Sequence, residues 1–120
     1  MATPYERGRT FEYRVRDHLR DLGYAAERSF GSRGPYDVRA EGGGLLLLVQ
    51  AKFNGYIPPR EWNQLFDVAL ELDGIPLVCG KAGRRLTYQR LMARKDTTRR
   101  IARQPLEFFD PPRLGLEDAA

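Results

Sequence analysis

A continuous apolar run, Leu45–Ala51, constrains most strongly what this chain can fold into. Six of its seven residues are apolar, and its length suits a single β-strand. A strand that is apolar on both faces is expected at the centre of a sheet that is covered on both sides. The run therefore predicts an α/β protein with helices packed on a central sheet.

Two polar residues stand at the end of this run. Gln50 and Lys52 share one face of the strand, because alternate strand residues point the same way. A glycine-rich reversal at residues 41–44 leads into the run from an earlier strand, which begins at Asp37 after a turn cluster at 31–35. Asp37, Gln50 and Lys52 would then meet around one metal ion and one water. Burial of such groups is costly without partners, and a metal and a phosphate would be such partners.

The apolar periodicity along the rest of the chain predicts a mixed five-stranded sheet flanked by helices, in the order αβββαββ. The first helix is expected over residues 4–22, with Thr3 and Glu6 forming a capping box and Gly23 following its end. The other predicted elements are strands at 24–30, from Asp37 to Ala40 and at 45–51, a helix at 59–72, and strands at 75–79 and 85–92.

Two residues of the first helix allow two interpretations. Glu12 lies beside the apolar stripe, where it either faces the sheet or pairs at the surface with Arg16. His18 is the single histidine, and packing against the sheet is favoured over metal ligation. Gly8 lies inside the helix, at a cost of about 1 kcal/mol relative to alanine.

Cys79 is the only cysteine, so an internal disulfide is excluded, and its apolar surroundings favour a buried thiol.

Basic residues are concentrated late in the chain. Residues 81–103 carry nine lysines and arginines against Asp96 alone, and seven of the nine are arginine. Such a block favours a phosphate-binding surface, although a solvated face or a disordered arm would have the same composition. We expect residues 1–92 to form the functional domain and 93–120 to be an extension of it, partly mobile or part of the same unit. The apolar patch at 106–109 needs burial against the domain or a second subunit.

The sequence also excludes some classes of protein. No apolar segment approaches the roughly 18 residues of a membrane span, and the N-terminus lacks the apolar core of a signal peptide. We expect a cytoplasmic protein.

The sequence resembles the archaeal-type Holliday junction resolvases of the PD-(D/E)xK nuclease superfamily over about residues 5–90. The resemblance rests on four motifs taken together. They are Arg7-Gly8 with Glu12, Arg28-Ser29 with Gly31-Ser32 before Asp37, Val49-Gln50-Ala51-Lys52, and Gly74-Ile75-Pro76-Leu77-Val78. It implies a restriction-endonuclease-like fold and a homodimer, associated with the nucleoid, that nicks two opposed strands of a four-way DNA junction.

The resemblance also implies roles for individual residues. Glu12, Asp37, Gln50 and Lys52 would be catalytic. Mg²⁺, which Mn²⁺ would replace, would be held by Asp37, Glu12, the Gln50 side-chain oxygen and the Ala51 backbone carbonyl. The residues expected to contact DNA are Arg7, Gly8, Arg9, Arg28, Ser29, Ser32, Arg33, Arg84 and Arg85.

Two positions depart from the pattern of these resolvases. Gln50 stands where they usually carry glutamate, which removes one negative charge from the expected metal site. Tyr13 stands where they often carry a basic residue. Two alternatives therefore stay open. One is another nuclease of the superfamily that acts on duplex or flap DNA, and the other is a DNA-binding module that has lost catalysis through Gln50.

Overall fold

The computed structural model describes residues 2–29, 34–96 and 104–115 and contains two helices and six strands. In chain order these are α1 (Pro4–Asp21), β1 (Ala25–Arg28), β2 (Val38–Gly42), β3 (Leu45–Ala51), α2 (Pro59–Leu72), β4 (Ile75–Ala82), β5 (Arg85–Leu91) and β6 (Leu106–Phe109).

The strands form one sheet in the order β1-β2-β3-β4-β5-β6. Every neighbouring pair is antiparallel except β3 and β4, which are parallel and are joined by the crossover helix α2. This is a mixed α/β fold in which helices flank the sheet, as the sequence predicts. The predicted count of five strands is wrong, because residues 106–109 pair with β5 as a sixth strand. In this four-residue edge strand the partly buried residues are Leu106 and Phe109, which pack on opposite faces of the sheet, so burial does not alternate and the sequence carries no strand period.

The central apolar run separates two cores. On one face, α1 packs through Phe11, Val15 and Leu19 against residues that include Leu47 and Val49. On the other face, α2 packs through Trp62, Leu65 and Ala69 against Leu48 and Val78. Since neighbouring residues of β3 supply opposite cores, the strand has to be apolar on both sides. The two-layer cover predicted from this run is confirmed.

Local signals at the helix ends explain where the helices begin and stop. Thr3 and Glu6 form the predicted capping box at the start of α1, and Gly23, with φ of 106°, follows its end. The α2 helix stops at Asp73, which takes up the left-handed conformation with φ of 56°. The residues over which α2 is predicted and observed are the same. No helix in the described residues is long and apolar enough to cross a membrane.

The segment after β6 packs back onto the domain. The Leu114 backbone N–H donates to the Leu22 carbonyl at 2.8 Å, and the Tyr24 hydroxyl donates to the Pro112 carbonyl at 2.9 Å. The Leu114 side chain lies in the space that a Cβ would occupy at Gly23 or Gly42. Residues 112–114 are therefore packed against the end of α1 and the β2–β3 hairpin, whereas the basic residues among 97–103 lie outside the described residues.

These contacts predict that Leu114 contributes to the stability of the domain. Leu114→Ala should lower the free energy of unfolding by about 1–2 kcal/mol, less than a fully buried leucine, because the side chain is only partly sheltered. Leu70→Ala is the matched control, since Leu70 is 67% exposed on α2, and its effect should stay within about 0.5 kcal/mol. Urea unfolding measures both changes, and equal effects of the two substitutions would contradict the packing of the segment.

Candidate active site

The strand directions bring several chain segments together at one end of the sheet. Val38 at the start of β2 pairs with Val49 near the end of β3, and Ala51 at the end of β3 pairs with Cys79 in the second half of β4. We call this the upper end, formed by the start of β2, the ends of β3 and β4, and the residues that immediately adjoin them. Asp37 and Lys52 both lie at this upper end, as predicted from the sequence.

Asp37 is a sheltered carboxylate at the join of β2 and β3. Its Oδ2 atom accepts a hydrogen bond from the Ala51 backbone N–H at 2.8 Å, and its own N–H donates to the Val49 carbonyl at 2.8 Å. Burial raises the pKa of Asp37 to about 6, from an ordinary value of 3.8. The bond from Ala51 and the charge of Lys52 oppose this rise, whereas the charges of Glu12 and Glu61 add to it. A cation next to Asp37 would therefore be stabilised by the surrounding charge.

Gln50 is 4% exposed and has a protein partner for its amide nitrogen. Its Nε2 atom donates to the Pro35 carbonyl oxygen at 2.7 Å. This bond ties the loop before Asp37 to the end of β3. The expectation that a metal or phosphate is needed to compensate the burial of Gln50 is wrong for the nitrogen, which leaves the amide oxygen as the atom that a cation would use.

Lys52 forms an ion pair with Glu61, a residue that was not predicted from the sequence to belong to the site. Its Nζ atom lies 3.1 Å from Oε1 of Glu61, and both side chains are partly sheltered. The Lys52 backbone N–H donates to the Cys79 carbonyl at 2.9 Å, which fixes the chain immediately after β3. Glu61 lies in the first turn of α2, where acidic residues are common, so nothing local indicated that it faces the sheet.

Glu12 faces the interior of this end of the molecule. Its Oε1 atom lies 3.1 Å from Nε of Arg28, and only 13% of the side chain is exposed. The alternative in which Glu12 pairs with Arg16 is wrong, because Arg16 pairs with Asp17 at 2.8 Å. Arg28 also lies over the ring of Tyr13, with 4.5 Å from its Cζ to the ring centroid.

The residues predicted to contact DNA differ in their accessibility. Stacking of Phe11 on Phe53 at 4.4 Å places the N-terminal part of α1 over the upper end, where Arg7 and Arg9 are exposed. A Cβ at Gly8 would meet nothing within 4 Å, so the helix surface is open there.

The predicted contact residues of the other segments lie nearby. Arg84 and Arg85 are exposed just beyond the end of β4, and Arg14 donates a hydrogen bond to the Arg84 carbonyl. Ser29 follows β1, and its N–H donates to the Asp37 carbonyl at 2.8 Å. Ser32 and Arg33 lie outside the described residues.

Cys79 and His18 carry chemically reactive side chains, but each has a structural role in the described part of the chain. Cys79 is fully buried, and this burial raises the pKa of its thiol to about 12, as expected for an inert core cysteine. His18 is stacked on Tyr88, and its Nδ1 atom lies 2.8 Å from the tyrosine hydroxyl. The prediction that His18 packs against the sheet is confirmed.

The donor atoms of the upper end suit a hard divalent cation. Across residues 2–29, 34–96 and 104–115, no group of three or more His, Cys, Asp and Glu residues lies close enough to hold a metal. A site here would depend on one or two carboxylates with neutral oxygens. Mg²⁺ is commonly bound by so few protein ligands because it retains several waters. The residues present therefore fit Mg²⁺ or Mn²⁺ and do not fit a closed zinc site.

Comparison with known proteins identifies a similar solved structure. The fold resembles that of Hjc, a Holliday junction resolvase from the archaeal hyperthermophile Archaeoglobus fulgidus, with a TM-score of 0.60 and 25% sequence identity. The similarity covers 68% of this chain and 70% of Hjc. No protein-family model and no curated protein sequence matches the chain. The comparison confirms the Hjc-like fold that the sequence motifs implied.

The raised pKa of Asp37 predicts a pH-dependent stability in the absence of divalent cations. The folded protein holds the Asp37 proton more tightly than the unfolded chain, so this favourable contribution is complete below about pH 4 and is lost as the pH rises through 6. Asp37→Asn, which removes the buried charge, should stabilise the protein by about 3 kcal/mol at pH 8 and by about half of that at pH 5.

Denaturant unfolding in EDTA at both pH values measures this effect, with the exposed Asp17→Asn as the matched control. The control should show no comparable gain at either pH. A less stable Asp37→Asn protein at pH 8, or a gain that does not change with pH, would contradict the burial of a charged carboxylate at this position.

Proposed function

We propose that this protein is a structure-selective endodeoxyribonuclease that resolves four-way DNA junctions by paired, metal-dependent nicking. The observation that carries the proposal is the convergence of Asp37, Gln50 and Lys52 at the upper end of the sheet. The Hjc-like fold supports it, and so does the spacing of residues 49–52 in the manner of a PD-(D/E)xK nuclease.

Mg²⁺ is the proposed cofactor, with Mn²⁺ as a substitute. Asp37, the Gln50 side-chain oxygen, the Ala51 backbone carbonyl and Glu12 would hold it. When bound, such a cation polarises the scissile phosphate and lowers the pKa of a coordinated water. Glu12 is paired with Arg28, so its participation requires Arg28 to turn to another partner, such as a DNA phosphate.

Lys52 is the proposed positioning group for the attacking water. Its ammonium is charged, partly shielded from solvent and close enough to Asp37 to lower the pKa of that carboxyl. An ammonium held in this way donates hydrogen bonds to the water and offsets negative charge that develops on the phosphate. The ion pair with Glu61 keeps the ammonium at this end of the sheet before DNA arrives.

The surrounding basic residues would bind the DNA backbone. Arg7, Arg9, Arg84 and Arg85 are exposed around the upper end and would contact phosphates, and Gly8 would allow the backbone of α1 to approach the DNA closely. Such contacts position DNA without reading its sequence. A two-fold homodimer would present two such sites to the two equivalent strands of a junction.

A catalytically inactive junction-binding module is the second candidate. It is favoured by Gln50, whose amide adds no negative charge, and by the pairing of Glu12 with Arg28. Both candidates predict tight, salt-sensitive binding of branched DNA. They differ in whether the strands are cut.

The nuclease function predicts a specific pattern of loss in variants. Asp37→Asn and Lys52→Ala should each lower the rate of cleavage of a labelled four-way junction in Mg²⁺ by about 10²–10³-fold or more, because each removes a group at the reacting phosphate. Junction binding should persist, since the exposed arginines are unchanged. Cleavage gels and binding titrations measure the two properties, and Asp17→Asn should behave as the unaltered protein.

Three outcomes would redirect the proposal. Equal cutting of linear duplex would indicate a nuclease that does not select junctions. Binding without cutting by the unaltered protein would indicate the binding module. Loss of junction binding in Asp37→Asn and Lys52→Ala would contradict a chemical role for these two residues.

A further inference from the structure

Among the described residues, Glu12 and Glu61 are the acids whose charges raise the pKa of Asp37, and the proposed mechanism uses Glu61 only to hold Lys52. It lies in the first turn of α2, and α2 packs on the sheet face to which the side chains of Leu48 and Gln50 belong. Its Oε1 atom is 3.1 Å from Nζ of Lys52. The α2 helix thus delivers a carboxylate to the side of the site on which Gln50 stands.

The two acids near Asp37, Glu12 and Glu61, differ in how exposed their ion pairs are. Glu12 is paired with Arg28, and their side chains are only 13% and 18% exposed. Glu61 is 39% exposed, and its partner Lys52 is the residue that the proposed reaction needs at the phosphate. Breaking the ion pair of Glu61 therefore costs less free energy than breaking that of Glu12, because the partner of Glu61 is more open to water.

The surroundings of Gln50 favour an amide over a carboxylate at this position. The Gln50 nitrogen donates to the Pro35 carbonyl at 2.7 Å. An ionised glutamate has no hydrogen to donate and would place a carboxylate against that carbonyl oxygen. Gln50 therefore fixes the loop before Asp37, and the negative charge that a cation requires has to come from another element.

The geometry points to Glu61, in place of the Arg28-paired Glu12, as the second carboxylate of the divalent-cation site, supplying from α2 the charge that Gln50 does not carry from β3. This inference rests on the metal-dependent function proposed above. In the protein without metal, Glu61 holds Lys52. With a cation present, Glu61 joins Asp37 in holding the cation, and Lys52 becomes available to the phosphate and water.

Binding of Mn²⁺ alone, without DNA, tests this role by electron paramagnetic resonance of the unbound ion. Glu61→Gln is nearly isosteric and should weaken Mn²⁺ binding by at least about 10–100-fold, the loss that is typical even when only an outer-shell partner of a metal ligand is removed. Glu71→Gln is the matched control, because Glu71 is an exposed acid at the other end of the same helix, and it should leave the affinity unchanged. Circular dichroism verifies that each variant is folded.

A second pair of variants distinguishes direct metal binding by Glu61 from an effect that acts through its ion pair with Lys52. Lys52→Ala removes the tether, and adding Glu61→Gln to it should still weaken Mn²⁺ binding by a similar factor. If Glu61 acts only through Lys52, the effect of Glu61→Gln disappears in the Lys52→Ala background, and the proposal is overturned.

The remaining outcomes are equally decisive. Unchanged Mn²⁺ affinity in Glu61→Gln, an equal loss in Glu71→Gln, or no Mn²⁺ binding by the unaltered protein would each overturn the role of Glu61. Junction cleavage is scored separately. Cleavage that persists with normal metal affinity in Glu61→Gln would refute this inference alone, whereas Glu61-dependent Mn²⁺ binding without any cleavage would refute only the resolvase function.

Discussion

The structure of the site depends on one sheltered carboxylate, that of Asp37, which is held by the backbone N–H of Ala51. This bond joins the beginning of β2 to the end of β3 through a side chain. Burial alone would favour the protonated acid, and the nearby charges of Glu12 and Glu61 increase that tendency. A site that raises the pKa of its own acid in this way gains most from a bound cation, which gives a physical reason for expecting a metal there.

The arrangement of strands explains why the other groups meet Asp37. Because β3 and β4 are parallel, the chain has to return through α2, whose first turn lies near the end of β3. That turn carries Glu61 to Lys52. The antiparallel hairpins on either side bring Arg28 and Arg85 to the same end of the sheet. The parallel connection thus brings Glu61 to the end of the sheet where Asp37 lies, and the hairpins bring Arg28 and Arg85 to the same end.

Sequence patterns could predict the parts of the molecule that follow from local chemistry. The double-sided apolar run indicated the central strand, the capping box indicated the start of α1, and the alternation of Gln50 and Lys52 indicated a shared face. The sixth strand could not be predicted in this way, since its partly buried residues, Leu106 and Phe109, stand at its two ends and do not alternate with the exposed ones. The partners of Glu12, Gln50 and Lys52 depend on contacts distant in sequence, and Glu61 was missed because its position depends on how α2 packs.

The proposed nuclease function requires that Asp37, Gln50 and Lys52 surround a shared divalent cation. A crystal of the protein soaked in Mn²⁺ and measured at a wavelength where manganese scatters anomalously tests this most directly. We expect an anomalous peak within bonding distance of an Asp37 oxygen, about 2.0–2.3 Å, a range typical of hard cations bound by carboxylate oxygen. A well-ordered upper end without such a peak, or with Asp37 and Lys52 directed away from each other, would contradict it.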